Sequence, residues 1–156
     1  YLHLKKQIES GADIVQIFDS WAGLIPESKI KNFCFDPTKR IVERLKKLDR
    51  PVICFPRGIK EKYEEFCKTV KPDCISIDYD VEPSWILKKA GGIPIQGGLD
   101  PKFLLGSVED LQKNITKYIS TFSNYPYIFN LGHGVLPETK PETIDFIVKF
   151  IRRKND

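Results

Sequence analysis

One histidine of the chain stands between two glycines, in a setting that suits contact with a ligand. The segment is NLGHGVLPETKPE, residues 130–142, in which His133 lies between Gly132 and Gly134. Glycine lets the backbone approach a bound molecule closely, and an imidazole can donate a hydrogen bond to a carboxylate. The alternative is a structural histidine that bonds the loop backbone, and the residues of this loop leave both interpretations open.

Two further polar residues lie at the carboxyl ends of apolar runs. Ser20 ends the segment ADIVQIFDS, and Arg57 follows PVICFP. A hydroxyl can donate to a carboxylate, and a guanidinium can pair with one through two parallel hydrogen bonds. By residue type alone, Ser20 fits a plain turn or helix cap, and Arg57 fits a surface or structural ion pair. Whether these two residues can contact a ligand depends on where the fold places them.

Apolar runs alternate with amphipathic stretches along the chain, which indicates an α/β fold. Short apolar runs predict strands at 12–20, 51–56, 74–79, 93–97 and 127–132. Amphipathic stretches predict helices at 36–50, 59–71, 82–92, 107–122 and 140–154. Most of the strands lack clean in-and-out alternation, which is typical of parallel strands covered on both faces. The architecture is either a doubly wound sheet or part of a (β/α)8 barrel.

Parallel strands bring the residues that follow them to one edge of the sheet. Ligands of parallel α/β proteins bind at this edge, beyond the carboxyl ends of the strands. The predicted strands are followed by DSWAG, RG, DYD, QGGLD and NLGHG, so polar residues and glycines recur there. We therefore expect one site built from five loops, which include Ser20, Arg57 and His133. Asp78 and Asp80 fit best as residues that cap the next helix or order loop amides.

Composition limits the class of protein. The chain has 156 residues, of which 41% are hydrophobic and 29% are charged, as in one globular domain. The net charge is +4, but lysines interleave with glutamates in ERLKKLDR and KEKYEEFCK, so we expect no nucleic-acid partner. No apolar run approaches the roughly 20 residues of a transmembrane helix, so we expect no membrane partner.

The cysteines do not predict a metal site. None of the four is spaced as C-x-x-C, and none has a histidine near it. Two of them, Cys54 and Cys74, lie in apolar runs and are expected to be buried as small hydrophobic residues. The chain also has no methionine and begins with Tyr1, which we interpret as a piece of a longer polypeptide.

The loop sequences resemble the carboxyl-terminal half of the uroporphyrinogen decarboxylase family. The matching motifs are FDSWAG, SIDYDVEP, IQGGLDP and NLGHGVLPETKPE, in the family's order and over essentially the whole chain. The chain departs from the family at Gly98, where asparagine is usual, and at Tyr79, where tryptophan is common. The resemblance implies a single-domain fragment, residues 1–156, that forms five βα units of a (β/α)8 TIM barrel lacking its amino-terminal half.

The resemblance also implies a function. The family consists of carboxy-lyases of haem and porphyrin biosynthesis, which convert uroporphyrinogen III to coproporphyrinogen III by decarboxylating its four acetate side chains. They use no metal or organic cofactor, and they are cytoplasmic and commonly homodimeric. By motif, Ser20 matches the family's hydroxyl substrate contact and His133 its substrate-binding histidine. Arg57 is a further candidate for pairing with a substrate carboxylate.

The family's other functional residues lie in the half that is missing here. They are an arginine-rich loop, an aspartate that holds the pyrrole NH groups and a substrate-contacting tyrosine. The catalytic residues are therefore unassigned, and we expect the fragment alone to be inactive. Its unpaired strand edges, at 12–18 and 127–131, further predict that it dimerises, swaps or aggregates.

Two alternative functions remain open. Related methyltransferases on the same barrel activate a thiol with zinc and take a methyl group from a corrinoid. They use a His-x-Cys element, whereas His133 is followed by Gly134 and Val135. The second alternative is a barrel half that binds a ligand or partner without catalysis.

Overall fold

One parallel sheet organises the chain, of which this computed structural model describes residues 1–154, with side chains through residue 152. The strands follow one another in the order β1 to β5. They are β1 (Val15–Asp19), β2 (Val52–Pro56), β3 (Cys74–Ile77), β4 (Ile95–Gly97) and β5 (Tyr127–Ile128). Each strand pairs in parallel with the next, so all carboxyl ends lie at one edge, which we call the carboxyl edge.

A helix follows every strand, as the alternating pattern predicts. The helices are α1 (Leu2–Glu9), α2 (Asp36–Leu45), α3 (Tyr63–Val70), α4 (Pro83–Lys89), α5 (Val108–Thr121) and α6 (Pro141–Lys154). The start of α5 shows why the chain turns helical there, because the Ser107 side chain accepts a hydrogen bond from the Asp110 backbone N–H over 3.1 Å. A proline in the first turn of α4 acts in the same direction, since its fixed φ suits a helix start.

The two faces of the sheet have different surroundings. Val15, Val52, Ile75 and Ile95 belong to one buried cluster together with apolar side chains of the helices. The alternate residues of the strands form the opposite face, which we call the inner face. Its members are Gln16, Phe18, Ile53, Phe55, Cys74, Ser76, Gln96 and Ile128. Among the described residues, the helices cover the first face, whereas Ile53, Phe55 and Cys74 on the inner face are buried outside that cluster.

The inner face mixes a polar network with exposed apolar side chains. The Gln96 amide donates to Gln16 Oε1 and to Ser76 Oγ, each over 3.2 Å. Phe18 is 67% exposed and Ile128 is 43% exposed, although both are strand residues. Such residues are normally covered in a closed barrel, whose interior is filled by side chains from all strands.

We expect the 156-residue chain alone to self-associate through this face and its edges. The strands β1 and β5 stand at the two ends of the described sheet and leave backbone groups free for pairing. Sedimentation should show dimers or larger species, and Phe18→Ser should shift the distribution toward monomer. Leu2→Ser is the control, because Leu2 is 72% exposed but lies on α1. A monodisperse monomer of the unchanged chain would contradict this expectation.

The connection from β1 to α2 is more structured than the sequence indicates. It contains short 3-10 turns at Ala22–Leu24 and Glu27–Lys29, and a π-helical turn at Lys31–Phe35 that runs directly into α2. Cys34 and Phe35 are buried by this turn. The helix predicted at 36–50 is observed as α2, which ends at Leu45. The chain continues as a 3-10 turn to Leu48, and Asp49 then adopts φ 53°.

Burial makes the four cysteines poor nucleophiles. It raises the pKa of Cys34, Cys67 and Cys74 to about 12, and it raises the pKa of Cys54 as well. At about pH 8 we expect a thiol reagent to leave all four unmodified in the folded protein and to label all four after denaturation, because only thiolates react. A cysteine that reacts within seconds in the folded state would show that its thiol is accessible to the reagent.

Candidate active site at the carboxyl edge

Ser20, Arg57 and His133 all lie on loops of the carboxyl edge. Ser20 follows Asp19 at the end of β1, and Arg57 follows Pro56 at the end of β2. Asp19 and Pro56 are register partners, so the Ser20 and Arg57 backbones leave the sheet side by side. His133 follows β5, at the far end of the same edge. The common edge expected from the sequence is therefore observed.

Ser20 and Arg57 also share a cavity. Its volume is about 170 Å³, and its lining includes Ser20, Trp21, Leu24, Arg57, Asp78 and Asp80. We call it the Ser20 cavity. Trp21 and Leu24 are 71% and 77% exposed, so the cavity combines a hydroxyl and a guanidinium with open apolar surface. The hydroxyl and the guanidinium can donate to a ligand carboxylate, while the Asp78 and Asp80 side chains add two carboxylates to the same lining.

Backbone contacts hold the first two loops together. The Arg57 N–H donates to the Asp19 carbonyl over 3.1 Å, and the Gly23 N–H donates to the Arg57 carbonyl over 2.9 Å. A Cβ atom at Gly23 would lie only 2.6 Å from the Gly58 carbonyl oxygen, and Gly58 itself has φ 80°. Both glycines are therefore required for the two loops to approach this closely.

Asp78 is the buried acceptor beneath the Ser20 cavity. Asp78 is 2% exposed. Its Oδ2 accepts from the Gly58 N–H over 2.6 Å and from the Tyr63 hydroxyl over 3.0 Å, and its Oδ1 accepts from the Asp80 N–H over 3.1 Å. The expectation that Asp78 orders loop amides is confirmed. Asp80 takes part through its backbone N–H, while its side chain lines the cavity.

Tyr63 remains a donor to Asp78 over the whole physiological pH range. It is fully buried, and burial together with the nearby Asp78 carboxylate raises the pKa of Tyr63 well above its ordinary value. The pair thus joins α3 to the end of β3 through a hydroxyl that keeps its proton.

The loop before His133 packs closely on the neighbouring strand ends. The Gly132 N–H donates to the Leu99 carbonyl over 2.8 Å. A Cβ atom at Gly132 would lie 2.8 Å from the carbonyl carbon of Asp78 and 3.0 Å from the carbonyl oxygen of Gly98. Gly132 is therefore needed for backbone packing within the protein, whereas Gly134 has open space where a side chain would stand.

His133 is exposed, and its ring has one local contact. Its Nδ1 lies 2.6 Å from the Gly134 backbone nitrogen, whose N–H donates to it. In the neutral ring the proton is then on Nε2, which is the nitrogen suited to donate to a ligand. The bond to the loop backbone and contact with a ligand are therefore compatible, because they use different ring nitrogens.

A larger groove lies beside the first two loops, and several of its charges are paired with one another. It has a volume of about 750 Å³ and is lined by Gly23, Gly58 and several lysines and glutamates. Lys62 Nζ is 2.8 Å from Glu27, and Lys68 Nζ is 2.7 Å from Glu64. The groove is lined by four glutamates and three lysines, so it offers an anionic ligand no net positive charge.

The sequence comparisons identify relatives along almost the whole chain. The family model described as Uroporphyrinogen decarboxylase (URO-D) matches residues 2–154. A uroporphyrinogen decarboxylase of Rickettsia bellii is 44% identical over 152 residues, which are 96% of this chain and 45% of that protein. One of Cereibacter sphaeroides is 42% identical over 156 residues, which are 97% of this chain and 46% of that protein. The chain spans about half the length of these curated relatives.

The structural comparison concerns the fold alone. A methyltransferase from Methanosarcina mazei matches with a TM-score of 0.80 at 13% sequence identity, over 99% of this chain and 46% of that chain. Together with the parallel sheet, this decides between the two architectures left open: the chain forms part of a (β/α)8 barrel. No helix among the described residues has the length and apolar character needed to cross a membrane. Because the family match covers residues 2–154, the chain belongs to the uroporphyrinogen decarboxylase family.

Proposed function

We propose that the barrel to which these five βα units belong decarboxylates the acetate side chains of uroporphyrinogen III to give coproporphyrinogen III. Family membership supports the reaction class. The observation that carries the proposal is the set of donors at one edge: the Ser20 hydroxyl, the Arg57 guanidinium and the His133 ring, all on loops of the carboxyl edge. Such donors suit a ligand that carries several carboxylates.

The reaction needs an electron sink, which the substrate itself can supply. A pyrrole protonated at a ring carbon is cationic. When the bond between the side-chain carbon and the carboxylate breaks, carbon dioxide leaves and the electron pair moves into this ring. A proton then adds to the side-chain carbon to give the methyl group, and the ring carbon loses its extra proton. The protein's part is to hold the polyanion, stabilise the developing charge and exclude water.

The three residues act in this proposal as substrate-binding groups. Ser20 and Arg57, which line one cavity, bind neighbouring carboxylates through a hydroxyl and a guanidinium. His133 binds a further carboxylate through Nε2–H while Nδ1 stays bonded to the Gly134 amide. The general acid is proposed to lie in the part of the barrel that this chain does not supply. The complete barrel is proposed to act as a cytoplasmic homodimer.

A chimera tests the proposal. The part of the Rickettsia bellii relative that the match leaves out is joined to this chain to complete the barrel, and the product is incubated anaerobically with uroporphyrinogen III. We expect stepwise loss of carbon dioxide and accumulation of coproporphyrinogen III, whereas the 156-residue chain alone should give no product. A folded chimera that binds uroporphyrinogen without releasing carbon dioxide would favour the non-catalytic alternative.

The methyltransferase alternative gains no support from the site. It needs a set of zinc ligands, and among the described residues no three His, Cys, Asp or Glu side chains are grouped so that they could hold a metal ion. The structural neighbour is a methyltransferase, but 13% identity supports the shared fold and not a shared reaction. A zinc assay on the chimera, expected to find less than one ion per chain, separates the two functions.

A further inference from the structure

We propose that Asp78 is a positioning residue that sets the spacing of the Ser20, Arg57 and His133 loops; this inference rests on the proposed function for its effect on catalysis. Asp78 directly follows β3, the central strand of the described sheet. The Ser20 and Arg57 loops lie on one side of it, and the His133 loop lies on the other. It acts on the substrate only through these neighbours.

The side chain of Asp78 fixes the loops that follow β1 and β2. Its Oδ2 accepts the Gly58 N–H over 2.6 Å, next to Arg57. Gly58 in turn touches Gly23, where a Cβ atom would lie 2.6 Å from the Gly58 carbonyl oxygen. A shift of Gly58 away from the carboxylate therefore moves both walls of the Ser20 cavity.

The backbone of Asp78 supports the loop that follows β5. Gly132 packs against the Asp78–Tyr79 peptide so closely that a Cβ atom there would lie 2.8 Å from the Asp78 carbonyl carbon. His133 is the next residue along the chain. Asp78 thus contacts the Arg57 loop through its carboxylate and the His133 loop through its peptide. Its position therefore affects the distances between the three binding groups.

Three donors converge on this carboxylate, and each would lose its acceptor if the side chain were removed. They are the N–H groups of Gly58 and Asp80 and the Tyr63 hydroxyl. Buried donors without an acceptor are costly, so the loops would move toward water or toward one another. Asparagine would keep one acceptor oxygen but place an NH₂ group against the remaining donors, which predicts an intermediate effect.

Asp73 provides a matched control at the opposite edge of the sheet. Its Oδ2 accepts the Val52 N–H over 3.0 Å, and its Oδ1 is 3.1 Å from Lys46 Nζ. It therefore also ties β2 to the neighbouring strand through a carboxylate and a backbone amide. Asp73 directly precedes β3 and so lies at the edge opposite the carboxyl edge. Asp73→Ala should therefore destabilise the sheet without moving the three loops.

Kinetics of the chimera test the proposal. Asp78→Ala should raise KM for uroporphyrinogen by about tenfold, since small displacements of binding groups have large effects. Asp78→Asn and Tyr63→Phe should each raise KM by a smaller factor than Asp78→Ala does. Asp73→Ala should leave KM unchanged. If the alanine variant does not fold, the asparagine and phenylalanine variants carry the test. Equal KM values for the Asp78 and Asp73 variants would overturn the proposal.

Amide hydrogen exchange separates this proposal from the proposed function. In Asp78→Asn the amides of Gly58 and Asp80, which donate to the Asp78 carboxylate, should exchange faster by about tenfold, while the amide of Val52 keeps its protection. Unchanged exchange at both amides would overturn the positioning role even if the chimera is an active decarboxylase. Faster exchange in a chimera without decarboxylase activity would support the positioning role and reject the proposed function.

Discussion

Gly97→Ala lowers the free energy of unfolding by about 2–5 kcal/mol, because it combines a strained backbone with a steric overlap. Gly97 ends β4 with φ 95°, a conformation that L residues with a side chain rarely adopt. A Cβ atom there would also lie 2.7 Å from the Ile77 carbonyl oxygen on β3. Since this oxygen belongs to the backbone of β3, it cannot move aside cheaply. Urea unfolding followed by tryptophan fluorescence measures the change.

Alanine substitutions at three other glycines measure the backbone strain and the steric overlap separately. Gly91 has φ 64° and open space, so Gly91→Ala should cost about 1–2 kcal/mol from strain alone. Gly132 has a close contact with the Asp78 backbone, so Gly132→Ala should cost about 1–3 kcal/mol from overlap. Gly134→Ala should change little, since Gly134 has neither feature. Equal effects at Gly97 and Gly134 would contradict the tight approach of β3 and β4.

Removal of the Ser20 hydroxyl or the His133 imidazole should each lower kcat/KM of the chimera by roughly 10- to 100-fold. A hydrogen bond to a charged group is worth about 1.5–3 kcal/mol, and each 1.36 kcal/mol of transition-state stabilisation is a factor of ten in rate. The variants are Ser20→Ala and His133→Asn, assayed by product analysis over the successive decarboxylations. We expect the His133 variant to accumulate partly decarboxylated intermediates.

Matched variants control for effects on stability. His3 lies on α1 with its ring near Gln7, and Ser123 lies just after α5, so His3→Asn and Ser123→Ala alter the same residue types away from the carboxyl edge. Both should keep full turnover. If His133→Asn also kept full turnover with an unchanged product profile, His133 would be a structural residue whose role ends at its bond to Gly134.

The sequence predicts the order of the elements well because burial leaves a periodic trace. Continuous apolar runs identify all of the strands, and amphipathic stripes identify the helices that follow them. The strand ends are less accurate: the strand predicted at 127–132 is observed only at Tyr127–Ile128, with one further isolated bridge between Leu99 and Leu131. The backbone leaves the ladder there to make the loop that holds His133.

Contacts between distant parts of the chain are harder to predict from the sequence. The sequence predicts that Asp78 serves loop amides, but the partners Gly58 and Tyr63 lie 20 and 15 residues away and follow from the fold alone. Tyr63 lies on an apolar helical stripe and reads as a core residue; the usable signal is that a buried tyrosine hydroxyl needs a partner. The role of Gly132 in backbone packing likewise depends on how closely the loops that follow β3, β4 and β5 approach one another.

Ser20 and His133 are proposed to contact one bound tetrapyrrole, and the histidine ring spectrum can test this contact. In a chimera with labelled histidine only in this chain, two ring signals are expected, from His3 and His133. Titration with uroporphyrin III, a stable oxidised analogue, should shift the His133 signal and leave His3 unchanged, and Ser20→Ala should weaken the affinity measured at His133. A His133 signal that does not move while uroporphyrin binds would show that His133 lies outside the tetrapyrrole site.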